Sequence, residues 1–225
     1  MYIVQKCITK LNNNQPTFFL DPKEKRLLEN KLKSNEYKIY RPYKDSEKVI
    51  FYNCREPKVL LYEIKCKSKI RHQDILGSVY SLISGEMFGD IIIKDGHYYI
   101  YILELVRNYF ESNFSKVKNY SVELESCPLE LLSNYEREYE EFEIIVSSER
   151  IDTVISTITH INRNSIKDKI KNKDIMLNHD YLKSSSYYLK PGDIFSIRKY
   201  GKFKYIGIEK KTKKDNFIVK YLKYL

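Results

Sequence analysis

The spacing of apolar positions changes several times along this chain, and each change marks an element. Asp21-Pro22 ahead of Lys23-Glu24-Lys25-Arg26-Leu27-Leu28 supplies an N-cap and a proline at the first helical position, predicting a helix to about Leu32. Residues 37–40 and 49–52 are β-rich runs around a polar turn, the pattern of a hairpin. Residues 59–64 then read as a strand, and 72–83 as a helix with Ile75, Val79, Leu82 and Ile83 along one side. Asp95-Gly96, between the runs 91–93 and 98–102, is the strongest hairpin signal in the chain, because tight two-residue turns need positive φ. A second helix over 103–114 and a strand over 120–124 complete a β-α-β-β-α-β order, shared by ferredoxin-like and RNA-recognition folds. Tyr98, Tyr99 and Tyr101 meet the aromatic hallmark of the latter only loosely and read better as strand residues packing on a sheet face.

In the last third, Ile151, Val154, Ile155 and Ile158 follow the i, i+3, i+4, i+7 rule of an amphipathic helix, with Ser148 as its expected cap. A break at Asn162 leads into a second helix with Ile166 and Ile170 as its buried pair. At 100° per residue, Arg163, Lys167 and Lys171 fall within about 80° of one another. Cations continue off that helix through Lys173, Arg198, Lys199 and Lys202, beside hydroxyl and amide side chains able to bond phosphate oxygens. Residues 175–178 and 194–198 read as strands flanking a Gly192-Asp193 turn.

Composition sharpens this picture. The 225 residues carry 40 Lys+Arg against 30 Asp+Glu, a net charge of +10. Residues 143–225 hold 18 basic and 9 acidic side chains, so nearly all the excess lies in the last third, the footprint of a polyanion-binding module. Glu136, Glu138, Glu140, Glu141 and Glu143 precede it and read as an inter-domain connection. Seven glycines and no G-x-x-x-x-G-K-[ST] argue against a nucleotide-phosphate loop. Cys7, Cys54, Cys66 and Cys127 show no metal-knuckle spacing, so reduced structural cysteines and no metal are expected. There is no apolar run long enough for a membrane span and no secretory signal at the start, which gives a cytoplasmic expectation.

The C-terminal stretch resembles the RNA-binding domain named after small-subunit ribosomal protein S-four. Its marks are Arg150-Ile151-Asp152 on the first helix, Asn162-Arg163 opening the second, Ile175-Met176-Leu177-Asn178, and the Gly192-Asp193 turn. Asn162 stands where the family usually has Ser, and Asn172 where Gly is common. The likeness extends further. Phe19-Leu20-Asp21-Pro22, Leu76-Gly77-Ser78, Phe88-Gly89-Asp90-Ile91, residues 146–150, Tyr200-Gly201-Lys202-Phe203 and Lys211-Thr212-Lys213-Lys214 resemble the YlmH family over nearly the whole chain. Ser84 and Gly85 occupy the place of that family's basic pair before Phe-Gly-Asp, and the N-terminal region is shorter than typical.

The resemblance implies a bacterial, ribosome-associated RNA-binding protein, linked to rescue of stalled large subunits and encoded near cell-division genes. It carries RNA contacts onto Arg150, Arg163, Lys167 and Lys171, and to these the basic continuation adds Lys173, Asn178, Arg198, Lys199 and Lys202, with Asp152 as an organising residue. The expectation is an α+β chain in three parts: an N-terminal helix and hairpin (1–56), a ferredoxin-like or RNA-recognition-like domain (57–142) and an S-four-type αα-β module with a basic β tail (143–225). It would bind rRNA or tRNA on the large subunit as a monomer, without cofactor or catalysis. The alternatives are a protein-interaction factor in cell division and an RNA-modifying enzyme. The same module occurs in pseudouridine synthases, some RNA methyltransferases and tyrosyl-tRNA synthetases, but here Asp90 has no acid partner or nucleophile near it in sequence.

Overall fold

The computed structural model describes residues 2–33 and 36–224. The chain forms two compact units, Met1–Glu136 and Arg137–Leu225, in a mixed α+β architecture.

The N-terminal unit begins with α1 (Tyr2–Asn12), which buries Val4, Cys7 and Leu11 at i, i+3 and i+7. Next is α2 (Pro22–Glu29), where Asp21 and Glu24 form a reciprocal capping box and Pro22 opens the helix. Strands β1 (Lys38–Tyr40) and β2 (Ile50–Tyr52) pair as the expected hairpin. The remaining elements are β3 (Val59–Lys65), α3 (His72–Tyr80), β4 (Phe88–Lys94), β5 (His97–Leu103), α4 (Arg107–Asn113), β6 (Lys116–Val117), β7 (Tyr120–Ser121) and β8 (Glu123–Cys127). The main sheet runs β4-β5-β3-β8 with all neighbours antiparallel, the ferredoxin-like order read from the sequence. Asp95 and Gly96 both take positive φ at the β4–β5 turn.

Both faces of this sheet are covered. Tyr62, Ile64, Tyr98, Ile100 and Ile102 pack with Ile75 and Val79 of α3 and Phe110 of α4. On the other face Leu61, Ile92, Tyr99 and Tyr101 pack with Phe19, Tyr43 and Ile50 from the N-terminal segment. The parts expected as separate regions 1–56 and 57–142 are therefore one unit, joined by a shared core.

The Phe88-Gly89-Asp90 motif makes that junction. A Cβ on Gly89 would lie 2.9 Å from the Phe19 ring and 3.0 Å from Tyr101 Cβ, so only glycine lets the segment approach. Asp90 Oδ2 accepts from Tyr43 Oη (2.7 Å), Ser46 Oγ (3.2 Å) and the Glu47 amide (2.8 Å). Lys48 Nζ sits 3.9 Å from the Phe88 ring centroid and donates to the carbonyls of Gly85 and Phe88.

The C-terminal unit contains β9 (Tyr139–Val146), α5 (Ile151–Thr159), α6 (Arg163–Lys171), β10 (Ile175–Leu177), β11 (Asp180–Tyr181), β12 (Ile194–Ile197), β13 (Gly201–Lys211) and β14 (Phe217–Tyr224). Its sheet order is β11-β10-β12-β13-β14-β9. Ile151, Val154 and Ile155 of α5 and Ile166 of α6 pack on one face against Ile175, Phe195, Phe203 and Val219. On the other face Ile145 is exposed.

The glutamate run is only partly a connection: Glu136 and Glu138 flank the boundary between the units, and the rest is strand. Glu140, Glu141 and Glu143 lie in β9, in register with Lys223, Leu222 and Lys220 of β14, and Glu141 pairs with Lys220 at 2.5 Å. Opposite charges face each other across the strands, so the run closes the sheet and the boundary moves from 142/143 to 136/137. That shift brings in one arginine and three glutamates, and the excess of the C-terminal unit falls from +9 to +7.

Candidate nucleic-acid interface

The α5–α6 corner is built around a buried carboxylate. The cap of α5 is Arg150, not Ser148, and its side chain caps nothing. The free helix N–H groups are instead met from a neighbouring loop: Ile151 donates to the Tyr187 carbonyl and Asp152 to that of Ser185. The same loop encloses the first turn, which is why Asp152 and Thr153 are buried alongside the apolar positions.

Asp152, 2 % exposed, accepts two hydrogen bonds from the Arg150 guanidinium, Nε to Oδ1 at 3.1 Å and Nη2 to Oδ2 at 2.7 Å. Burial alone would raise its pKa. The hydrogen bond and charge of Arg150, the Thr153 amide and the charge of Arg163 outweigh that and hold it below the usual carboxylate value. Thr153 extends the chain: its hydroxyl donates to Asp152 Oδ1 (3.4 Å) and accepts from Arg163 Nη2 (2.9 Å). Two guanidinium groups are thereby held through one buried carboxylate and one hydroxyl. Each still has N–H groups beyond those bonds, because a guanidinium carries five.

Asn162 caps α6, accepting from the Ser165 amide at 2.8 Å, and places Arg163 at the first helical position. Lys167 and Lys171 follow on exposed positions of the same stripe. The helix ends with Lys173 N–H bonding the Ile170 carbonyl and Asp174 N–H bonding that of Lys169, which is a Schellman motif. Its left-handed position is filled by Lys173 at φ 59°, where glycine is the usual residue, and Lys173 Nζ lies 5.5 Å from the centroid of the half-exposed Tyr181 ring. Asp174 faces Arg198 Nη1 (3.3 Å) and Lys169 Nζ (3.8 Å), and Lys169 also lies over Tyr200.

The expected contacts therefore separate into groups. Arg150, Asp152 and Arg163 meet at one corner, and Lys167, Lys171 and Lys173 run along α6 from it. Arg198 is 75 % exposed at its side chain and tied to Asp174, while Lys199 occupies a turn at φ 74°. Lys202 lies over the Tyr224 ring. Asn178 is committed to the fold: its amide donates to Asp193 Oδ1 (2.7 Å) and accepts from the Ile194 N–H (2.9 Å), locking the β10–β11 turn to β12. Both ends of that amide are used internally, so Asn178 serves the fold at this turn.

Sequence reasoning missed Thr153, Asp174, Tyr181 and Tyr200. Thr153 sits in an otherwise apolar turn and carries no periodic signal, although its place next to the paired Asp152 was a usable hint.

In the N-terminal unit Tyr98, Tyr99 and Tyr101 are buried, so the sheet offers no aromatic platform. Asp90, the carboxylate that a catalytic reading would need, is held by three donors from residues 43–47.

The fold and its motifs agree with one class of RNA-associated domain. Residues 55–131 match the family described as "Putative RNA-binding domain in YlmH", a segment holding the whole of the four-stranded sheet with α3 and α4. The resemblance to the YlmH family read from the motifs is thereby shown. The chain is similar to the protein named "Ribosome-associated protein quality control protein P2" of Bacillus subtilis (strain 168), at 26 % identity over 153 residues, covering 68 % of this chain and 60 % of that one. It thus spans about three fifths of the length of that curated relative. A solved structure titled "Cell division protein ylmH from Streptococcus pneumoniae" is similar at 23 % identity and a TM-score of 0.47, over 58 % of this chain and 90 % of that one. Among the described residues, no helix is long and apolar enough to cross a membrane.

Proposed function

We propose that this protein is a non-catalytic RNA-binding factor whose C-terminal unit is an S-four-type module. It holds rRNA or tRNA on the large ribosomal subunit during quality control of stalled translation, in the cytoplasm. The observation that carries this reading is the pair of guanidinium groups fixed by Asp152 and Thr153 at the head of a cationic helix stripe. A guanidinium already held in place loses less freedom on gripping a phosphate than a free one, so the corner favours a shaped RNA backbone over diffuse polyanions. The Bacillus relative's name supports the ribosomal setting, and the match of residues 55–131 supports RNA as the ligand class. The non-catalytic reading is supported by the commitment of Asp90 and Asp152 to internal donors.

The experiment compares Arg163→Ala with Lys210→Ala, a change of equal charge at an exposed position of β13. Binding to deproteinised large-subunit RNA and to tRNA is measured at two salt concentrations. Arg163→Ala should weaken binding about tenfold, the cost of one charge-assisted contact, and lower the salt slope by roughly one unit. Lys210→Ala should change affinity less than twofold. Equal losses would mean that diffuse charge attracts the RNA, and the residue assignments would fall.

A further inference from the structure

A second candidate site lies in the N-terminal unit, on the helix side of its sheet. A groove of about 540 Å³ opens between α3 and the β6–β7 hairpin. Gly77 lies along it, and a Cβ there would meet no heavy atom within 4 Å, so the groove reaches the helix backbone itself. Ser78 and Ser81 line one wall, Lys116 and Lys118 the other.

The chemistry of these walls is specific. Among the described residues, the one carboxylate lining the groove, Asp74, is already satisfied. It accepts two hydrogen bonds from the Arg71 guanidinium, at 3.1 Å each, and faces Lys118 Nζ at 2.8 Å. Hydrogen bonds from Arg71 and Lys118 hold it well below the usual carboxylate range, so it stays ionised and paired. Lys116 is exposed with no ion pair among the described residues, and with Arg71 and Lys118 it leaves the groove positive.

The hydroxyls of Ser78 and Ser81 donate to the carbonyls of Asp74 and Ser78, at 3.0 and 2.7 Å. Their protons are spent, and what they turn outward is acceptor capacity. A wall of cations opposite a wall of hydroxyl acceptors matches an alternation of phosphate anions and donating ribose 2′-hydroxyls. DNA offers the first of these and lacks the second.

We infer that this groove binds the ribose-phosphate backbone of RNA, as a contact separate from the α5–α6 corner. The inference rests on the reading of the protein as an RNA binder and deepens it by placing the contact of the N-terminal unit. The opposite sheet face is sealed by Phe19 and Tyr43, which leaves the helix side as the approach.

The test uses the full chain and a fluorescein-labelled 20-nucleotide RNA of mixed sequence, with the matching DNA as a second probe. Gly77→Glu puts a carboxylate into the groove from a helical position with open space around it, so the fold should survive, as thermal melts would verify. It should weaken RNA binding about tenfold. Lys116→Ala should weaken it two- to fivefold and lower the salt slope by roughly one unit, and Gly77→Ala should bind within twofold of the parent. Parental affinity in both Gly77→Glu and Lys116→Ala overturns the inference, whatever Arg163→Ala does. Loss in those two variants with parental affinity in Arg163→Ala keeps the groove and removes the C-terminal assignment. DNA bound as tightly as RNA overturns the ribose assignment. Loss of ribosome co-sedimentation by Gly77→Glu with unchanged oligonucleotide affinity also overturns it, since the groove would then face a ribosomal protein. Should Gly77→Glu fail to fold, Lys116→Ala decides.

Discussion

The two units use the same residue types, tyrosine and lysine, for opposite ends. In the N-terminal unit Tyr99 and Tyr101 are sealed between the sheet and an overlying segment, and Lys48 is turned inward to satisfy the carbonyls of Gly85 and Phe88. In the C-terminal unit Tyr181 and Tyr200 stay exposed beneath Lys173 and Lys169, and Lys167 and Lys171 face solvent. A four-stranded sheet with aromatic central strands would suggest an RNA-reading surface in the first case. The burial pattern removes it, and the exposed cations of the second case lie instead along helix α6. Fold topology alone does not locate a binding face; what covers each face does.

The sharpest way to break this contrast is at Tyr101. The side chain is fully buried, so Tyr101→Ala leaves a cavity and should cost about 3–5 kcal/mol, unfolding the N-terminal unit at lower denaturant. Tyr101→Phe should do the reverse. Among the described residues the hydroxyl has no hydrogen-bond partner, so its removal should leave stability unchanged or raise it by about 1 kcal/mol, with RNA affinity unaltered. Chemical denaturation of both variants, with RNA binding of Tyr101→Phe, checks the pair. Weaker RNA binding by a stably folded Tyr101→Phe would restore the sheet face as a reading surface.

Much of this architecture was legible because it depends on local signals. The Asp21-Pro22 start, the Asp95-Gly96 turn and the β-α-β-β-α-β order follow from capping, positive φ and period, and the structure has all three. The errors share another cause. Glu140, Glu141 and Glu143 look like a solvated link until β14, some eighty residues later in the chain, supplies Lys220 and Lys223 opposite them. Ser148 looks like a cap until the loop at residues 185–187 takes the helix N–H groups and moves the start to Ile151. Helix α1 was overlooked although Val4, Cys7 and Leu11 have helical spacing, because three apolar positions in eleven residues are a thin stripe. At the candidate site the charges were visible. The groups that hold them, Thr153 and Asp174, were not, because positioning depends on side chains brought together by folding.

A second test of the contrast is the pH response of Lys48. Burial pushes its pKa down to about 8 from 10.5, against the opposing pull of Asp90, Glu24 and Asp21. Between those two values the unfolded chain keeps a proton that the folded one has lost, so this group makes stability rise with pH across the window, by at most about 1.4 kcal/mol per pH unit. Cys7 works against it: burial lifts its thiol to about 11, and stability falls as pH rises from the ordinary thiol range toward that value. Comparing the parent with Lys48→Met at pH 8 and pH 9.5 isolates the lysine. The parent should gain stability relative to the variant over that interval, and parallel curves would mean that the ammonium is solvated, like those on α6.

The smallest expected effect is the most informative about the other unit. Lys173 holds a left-handed conformation that glycine adopts without strain, inside a Schellman motif that is otherwise complete. A lysine there costs roughly 1 kcal/mol relative to glycine. Lys173→Gly should therefore raise the stability of the C-terminal unit by about that amount, shifting its thermal midpoint upward by a few degrees. The substitution also removes the cation that overlies Tyr181, at the end of the stripe begun by Arg163. RNA affinity should fall two- to fivefold while the protein becomes more stable, and opposite signs cannot arise from unfolding. Thermal melts and binding on the same preparation give both numbers. A more stable variant with unchanged affinity would detach Lys173 from the interface and end the stripe at Lys171, leaving the strained turn without a functional explanation.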